Sequence, residues 1–352
     1  MIHNSIFKII VSLIVIIGIL SVPLYFSISA YFGYEYKGSD SSSSYINYIT
    51  IILLLNLFIY ITTYEKNKYL YYADKVLLAY VLYLVTAHFI WIIADNFDYN
   101  VFTENFKFFI SLGIVGLFGA RVVTSEKILR TVIKINEFIT YIIAVSIVIN
   151  IVIPFINGEA VNILAGTHYQ AISYYSAYCI GMIGAYNFHL GEKYRSHILS
   201  NDIVKLASLI LILLLTISLI INGGRGAFIL FLTYIILHIY KTIKDDERKI
   251  NRIKILIIMI VSIYSFTVLL NTNPIIEAGF ERAVSFIDPS NDSLLDVEKT
   301  SGRDTIYKQS IASIIESPLF GYGPFIHWDK VVHPHNIILD IIMQNGIIVS
   351  II

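Results

Sequence analysis

The sequence IVKLASLILILLLTISLIIN occupies residues 203–222 and decides the class of fold. Apart from Lys205 it carries no charged side chain, and as a helix it would be about 30 Å long, the thickness of a bilayer's hydrocarbon core. It lacks the alternation of polar and apolar residues that a strand of a membrane barrel shows. A helix also satisfies its own backbone hydrogen bonds in lipid. The segment therefore predicts a transmembrane helix.

Similar apolar runs recur along most of the chain. The composition agrees, since 57% of the residues are apolar and only 14% are charged, against roughly 25% charged in soluble domains. The sequence therefore predicts an all-α, polytopic membrane bundle of about ten transmembrane helices. The ten runs are 6–31, 46–64, 76–94, 106–120, 138–156, 172–190, 203–222, 227–240, 253–270 and 336–352.

Lysine and arginine are concentrated in every second loop between these runs. The positive loops lie around residues 65–75, 121–134, 193–205 and 241–254. Because positively charged loops stay in the cytoplasm, the N-terminus is predicted to be cytoplasmic. The long connection 271–333 then forms one extracytoplasmic helical loop. We divide the chain into N-terminal transmembrane helices, 1–202, and a core that contains this loop, 203–352.

The balance of charges limits the classes of function. The 25 Lys and Arg residues equal the 25 Asp and Glu residues in number, so the chain has no excess of positive charge and no nucleic acid is predicted as a partner. The apolar composition predicts membrane lipid among its partners. The single cysteine, Cys179, cannot form a disulfide framework or a cysteine-ligated metal site. The predicted spans contain few ionisable residues, unlike those of ion-coupled carriers. Chemistry is therefore expected at the outer surface.

The first candidate cluster is NGGRGA at residues 222–227, a turn so short that the flanking spans must form a tight hairpin. Glycine permits the left-handed backbone that such a turn needs. Arg225 would lie at the outer mouth, level with the lipid headgroups. The alternative interpretation is a snorkelling anchor.

The second cluster is TSGRD at residues 300–304, which opens a predicted amphipathic helix, 303–317. Arg303 would lie near the N-terminus of that helix, where the dipole disfavours a cation unless an anion is bound. Arg282 precedes it in another predicted short helix, 274–286. A salt bridge from Arg303 to a nearby carboxylate is the alternative; the candidates are Glu281, Asp296 and Asp304.

The third cluster is HPHN at residues 333–336, directly before the last apolar run. Proline suits a first helical position, so we predict His335 and Asn336 in the first helical turn. That position lowers the pKa of a histidine toward the neutral form that a general base needs. The alternatives are an ordinary polar helix start and, less favoured, a zinc site. His333 and His335 supply only two ligands, so no metal and no cofactor are predicted.

An outward-facing set of arginines and a histidine suits one chemistry. Arginine binds diphosphate bidentately and stays charged, and histidine can take a proton from an attacking hydroxyl. The residues therefore indicate group transfer from a lipid diphosphate, with the arginines stabilising the leaving group.

The same stretches resemble the O-antigen ligase/polymerase superfamily, polytopic bacterial glycosyltransferases of GT-C type. PLFGYGP at residues 318–324 and Gly346 complete the pattern. The resemblance implies a metal-independent glycosyltransferase of the bacterial inner membrane that uses an undecaprenyl-diphosphate-linked glycan donor and a lipid A–core or lipid-linked glycan acceptor. It implies that Arg225, Arg282 and Arg303 contact the diphosphate and that His335 activates the acceptor. Secondary candidates are His333, Asn336 and, in the outer loop 157–173, His168.

Two features depart from that family. Its pattern after the histidine contains Gly-x-x-Gly, whereas Val349 stands here at the second glycine. The chain also ends within an apolar run, from which we expect a C-terminally truncated product. The alternative functions are a transporter or flippase for lipid-linked oligosaccharide and a membrane scaffold.

Overall fold

A computed structural model describes a part of the chain that is almost entirely helical and contains no strand, which confirms the all-α prediction there. The predicted spans 46–64, 76–94, 106–120 and 253–270 lie outside this part, apart from Ile51 and Leu55. The described residues are 5–33, 51, 55, 75, 126–159, 169–191, 194, 196, 201–244, 274–284, 303–319, 321–322, 334 and 336–350.

The chain forms two compact units, each made of two segments. The first comprises Met1–Tyr60 and Phe118–Ser285, and the second comprises Ile61–Leu117 and Phe286–Ile352. The division predicted between residues 202 and 203 stays a prediction.

The first predicted span, 6–31, is two helices rather than one straight helix. Helix α1, Ser5–Ile19, and helix α2, Ser21–Tyr31, meet at an angle of 89°. Pro23 gives the physical reason, because its ring clashes with the carbonyl four residues earlier in a continuous helix and it has no N–H to donate. Proline is tolerated in the first turn of a new helix, which is where α2 places it.

The central helices of the first unit overlap the predicted spans, but the first of them begins at Glu126, so residues 126–134 of the predicted positive loop 121–134 are helical. A π-helical turn, Val148–Val152, follows the first of these helices. The helices are α3, Glu126–Ile147; α4, Ile153–Ile156; α5, Tyr169–Phe188; α6, Asp202–Asn222; and α7, Arg225–Lys244.

Few of the described helices are long and apolar enough to cross a membrane. Two meet both criteria, Ile128–Ile156 and Asp202–Asn222, and the number is three if the bent pair α1–α2 is one span. The described part of the chain thus agrees with a helical membrane protein. It does not confirm ten spans.

Buried polar contacts fix how these helices face each other. Asn136 of α3 donates to the Tyr186 hydroxyl of α5 (2.8 Å) and accepts from the Tyr178 hydroxyl (2.9 Å). The thiol of Cys179, which is fully buried, lies 3.7 Å from the Thr140 carbonyl oxygen. Each such bond between membrane helices contributes about 1 kcal/mol and holds one relative rotation. The bundle of α3 and α5 therefore has a defined register.

Three shorter helices complete the described structure, and two of them agree with the predicted amphipathic helices. Helix α8 is Pro274–Val284 in the first unit, and helix α9 is Arg303–Glu316 in the second. Helix α10, Ile337–Ser350, covers the last predicted span but breaks at Gly346, where φ is 69° and ψ is 175°. The predicted run 336–352 is therefore a short, interrupted helix in its described part.

Candidate functional site

The hairpin between α6 and α7 is as tight as predicted and is anchored to α5. Gly223 ends α6 in the left-handed conformation, with φ at 59°. The N–H of Gly224 donates to the Ser173 hydroxyl oxygen of α5 (3.2 Å), and a Cβ at Gly224 would lie 2.7 Å from the Ser173 Cβ. Arg225, partly exposed, is the first residue of α7. Its backbone position is thus set by contacts on both sides of the turn.

Helix α8 packs directly on this hairpin. Ile276 is 2% exposed, and the Phe280 ring lies edge-on to Phe228 of α7 at 5.9 Å. At Gly279 the α8 backbone approaches the Ile220 carbonyl oxygen of α6 more closely than any side chain would allow. Arg282 lies three residues further along α8. The first unit therefore brings together the two elements that carry Arg225 and Arg282.

Replacing Gly279 with alanine is expected to move α8 off the hairpin. The added Cβ would lie 3.2 Å from the Ile221 carbonyl oxygen and closer still to that of Ile220. Backbone atoms cannot rotate away, so overpacking of this kind destabilises by about 1–3 kcal/mol. The apparent melting temperature of the purified protein in detergent measures the loss. Gly191→Ala is the matched control, because nothing lies within 4 Å of a Cβ there; equal melting temperatures for both variants would contradict the expected close approach.

In the second unit, the loop that follows α9 forms backbone hydrogen bonds with α10 at the point where α10 is interrupted. The N–H of Tyr322 donates to the Met343 carbonyl oxygen, and the N–H of Ile347 donates to the Pro318 carbonyl oxygen, both at 2.8 Å. These two bonds give partners to the Met343 carbonyl and the Ile347 N–H, which lie on either side of Gly346, where the helical hydrogen bonds of α10 are interrupted. We call this contact of Pro318, Gly321 and Tyr322 with residues 343–347 the latch.

Gly321 is the residue that lets the latch close. Its φ is 65°, and a Cβ there would lie 2.5 Å from the Met343 carbonyl oxygen and 2.6 Å from the Gly346 nitrogen. Only glycine combines a left-handed backbone with such a close approach. The latch thus joins two stretches on which the family resemblance rests, PLFGYGP and Gly346.

Side chains reinforce the latch at the end of α9. Met343 is buried against Ile314 and Tyr322, and the Tyr322 hydroxyl donates to a Glu316 carboxylate oxygen (2.9 Å). Burial raises the pKa of Tyr322, and the Glu316 carboxylate raises it further. The phenol therefore stays protonated as a donor throughout the neutral range.

Asn336 caps α10 instead of lying in its first turn. Its side-chain oxygen accepts from the N–H groups of Ile338 (3.0 Å) and Leu339 (3.4 Å). The predicted start at Pro334 is therefore wrong, because a capping asparagine moves the first helical residue to Ile337. His335 then directly precedes the cap in the sequence.

The candidates divide between the units. Arg225 and Arg282 belong to the first unit, and Arg303 and Asn336 belong to the second. Arg303 is the first residue of α9, as predicted. The histidines His168, His333 and His335 lie outside the described residues. Within the described ranges, no group of three or more His, Cys, Asp or Glu side chains could hold a metal ion.

An apolar groove, which no sequence prediction includes, runs along α10. Its volume is about 210 Å³, and its lining residues are Ile338, Ile341, Ile342, Ile347 and Ser350. The spacing of the first three isoleucines is the signal that could have indicated it, since they share one face of a helix. The groove begins two residues after the cap at Asn336.

Comparison with known proteins gives one match. Residues 210–352 match the model of a family described as O-antigen ligase. No curated protein and no solved structure matches the chain. The matched range begins within α6 and includes the hairpin, α8, α9 and the latch.

Proposed function

We propose that this chain, whose residues 210–352 match the model of the O-antigen ligase family, transfers a glycan from a lipid diphosphate carrier to an acceptor hydroxyl. The observation that carries the proposal is the packing of α8 on the α6–α7 hairpin. Gly279 and Phe280 of α8 contact Ile220 and Phe228 of the hairpin. That packing places two arginine-bearing elements side by side. Two guanidinium groups suit the two phosphates of a diphosphate.

Helix dipoles support an anionic ligand. Arg225 opens α7 and Arg303 opens α9. A cation at a helix N-terminus is unfavourable by about 0.3–1 kcal/mol, whereas an anion there is favourable by a similar amount. The N-terminal N–H groups and an arginine side chain attract the same negatively charged ligand. A phosphate group bound there would offset the dipole penalty.

In the proposed reaction the acceptor hydroxyl attacks the anomeric carbon of the donor sugar. The bond between that carbon and the diphosphate oxygen breaks, and the carrier diphosphate leaves. His335 takes the proton of the hydroxyl. Arg225, Arg282 and Arg303 stabilise the negative charge that develops on the leaving diphosphate.

The family match supports lipid-linked glycans as the proposed class of substrate. We propose an undecaprenyl-diphosphate-linked glycan as donor and either lipid A–core or a second lipid-linked glycan as acceptor. The reaction would take place on the outer face of the bacterial inner membrane. The described structure gives Asn336 a capping contact, so its proposed contribution is to hold the segment that carries His335. His333 and His168 are secondary candidates for contact with the acceptor.

A transfer assay with the purified protein in lipid nanodiscs tests the proposal. The donor is a lipid-linked repeat unit, supplied with and without lipid A–core. A single addition to lipid A–core would indicate a ligase, and a ladder of lengthened lipid-linked glycans would indicate a polymerase. His335→Ala should reduce the rate by about 100- to 10,000-fold, the usual contribution of a general base. His197→Ala is the matched control and should retain the rate, because His197 belongs to the predicted cytoplasmic loop 193–205 and to no candidate cluster.

Two results would contradict the proposal. One is a wild-type rate in His335→Ala. The other is movement of the lipid-linked glycan across the bilayer without a new glycosidic bond, which would support the transporter instead.

A further inference from the structure

The apolar groove along α10 is produced by the break at Gly346. Ile338, Ile341 and Ile342 share one face of the helix before the break. Between Ile338 and Ile347 an uninterrupted helix would make about two and a half turns, which would place Ile347 on the opposite side. The break, where φ is 69°, instead brings Ile347 to the lining of the same groove. The concave surface therefore depends on the kink that the latch holds.

The lining of the groove is suited to a hydrocarbon chain. Four of its five residues are isoleucine, and the fifth, Ser350, already donates its hydroxyl to the Gly346 carbonyl oxygen at 2.5 Å. The polar side chains of α10 pair elsewhere, since Gln344 donates to an Asp340 carboxylate oxygen at 2.8 Å. Asp340 lies two residues from Ile338 in the sequence and so on the other side of the helix. A ligand that seeks hydrogen bonds gains nothing in this groove.

The shape of the groove, and not its hydrophobicity, would select among lipid chains. The exposed fractions of Ile338, Ile341 and Ile347 are 65%, 42% and 43%, and in the predicted span 336–352 these side chains face lipid. Lipid is as apolar as the groove, so packing alone distinguishes one chain from another. Isoleucine is stiff at χ1, and a polyprenyl chain, with its double bonds, loses less conformational entropy when ordered than a saturated chain. A ridged isoleucine surface therefore suits a methyl-branched polyprenyl chain.

The proposed reaction indicates which lipid lies in the groove. The reacting carbon of the donor is bonded directly to the diphosphate, so the lipid chain of the donor must begin within a few bonds of it. The lipid of the acceptor can lie further away, because its glycan separates it from the attacking hydroxyl. The groove begins at Ile338, three residues after the proposed base His335. This is the end at which the chain of the donor would enter.

We propose that the groove of α10 binds the first isoprene units of the polyprenyl chain of the donor. This inference rests on the proposed function and adds a site for the lipid part of the donor. The latch then has a role in substrate binding, since it holds the break that gives the groove its shape. The site belongs to the second unit, as do Arg303 and Asn336.

Photolabelling of the full chain in lipid nanodiscs tests the inference. The probe is a polyprenyl diphosphate that carries a benzophenone on its second isoprene unit, and the labelled peptide is identified by mass spectrometry. We expect labelling within residues 338–350 that excess undecaprenyl diphosphate suppresses and added phospholipid does not. Suppression by both lipids would identify a groove for bilayer lipid and overturn the inference. Labelling that bypasses α10 would overturn it as well.

Ile341→Trp fills the groove and gives a second measurement. Overpacking of this kind should weaken binding of the probe by about 10-fold or more and raise the KM for the polyprenyl-linked donor. The KM for a donor with a methyl group in place of the polyprenyl chain should stay at the wild-type value, which a general loss of structure would not allow. Ile210→Trp is the matched control, because Ile210 of α6 is also an exposed isoleucine of a predicted span, at 54%. Equal losses for both donors or in both variants would contradict the inference, as would wild-type affinity in Ile341→Trp.

The labelling separates this inference from the proposed function. If His335→Ala abolishes transfer and Ile341→Trp binds the probe normally, the inference fails and the proposed function stands. If the wild type is labelled in α10 as expected but transfers no glycan, the proposed function fails and the polyprenyl site stands. A wild type that shows neither labelling nor transfer overturns both.

Discussion

Arg225→Ala is expected to reduce glycan transfer by about 100- to 1,000-fold, the effect of removing one group that stabilises developing negative charge. Arg225 lies at the first position of α7, where the helix dipole and the guanidinium would both attract the proposed diphosphate. Arg225→Lys should restore part of the rate, because lysine keeps the charge but loses the planar pair of donors that binds phosphate. The value of kcat/KM for the lipid-linked donor measures both effects.

The control for Arg225 is a cation of the same helix at its other end. Lys241 is exposed near the C-terminus of α7, so Lys241→Ala removes one positive charge without touching the hairpin. Its rate should equal that of the wild type. Equal losses in Lys241→Ala and Arg225→Ala would show that net charge, and not the position of the arginine, governs the rate.

Gly321→Ala is expected to open the latch and to abolish most transfer together with part of the stability. A non-glycine residue in the left-handed region costs about 1–2 kcal/mol. The collision with the Met343 carbonyl oxygen, 2.5 Å from the added Cβ, adds overpacking of about 1–3 kcal/mol. Because the latch holds the end of α9 against α10, the helices that carry Arg303 and Asn336 lose their common support. The melting temperature and the transfer rate should both fall.

Gly158→Ala distinguishes backbone strain from overpacking as the cause of the stability lost in Gly321→Ala. Gly158 also has a left-handed backbone, with φ at 75°, but nothing lies within 4 Å of a Cβ there. This variant therefore measures backbone strain alone. A fall in melting temperature as large as that of Gly321→Ala would show that the close approach to α10 contributes nothing.

Local signals in the sequence were sufficient to predict several elements. The helices 274–286 and 303–317 are predicted from their amphipathic spacing, and the structure ends α8 and α9 within two residues of those positions. The α6–α7 hairpin followed from glycines in a short link between apolar runs. Each of these features is set by residues close together in the chain.

The features that the sequence did not predict depend either on competition between two local signals or on contacts between residues far apart in the chain. At the start of α10, Pro334 and Asn336 are both plausible helix-start residues, and the side-chain hydrogen bonds of Asn336 decide between them. The 89° bend at Leu20 was hidden because residues 6–31 are uniformly apolar, although Pro23 was a usable signal. The latch pairs Gly321 with Gly346, and the Tyr174 hydroxyl of α5 lies against Gly226 of α7. No local pattern predicts such pairs.

The chain's only cysteine also determines how the protein can be labelled. Cys179 is fully buried between α5 and α3, so a maleimide reagent that does not unfold the protein should leave it unmodified. Cysteines introduced one at a time at polar loop positions would then react against an unreactive native background, with no need to remove Cys179 from the core. Membrane-impermeant and permeant reagents can thus be compared on the natural sequence to establish which loops face the cytoplasm.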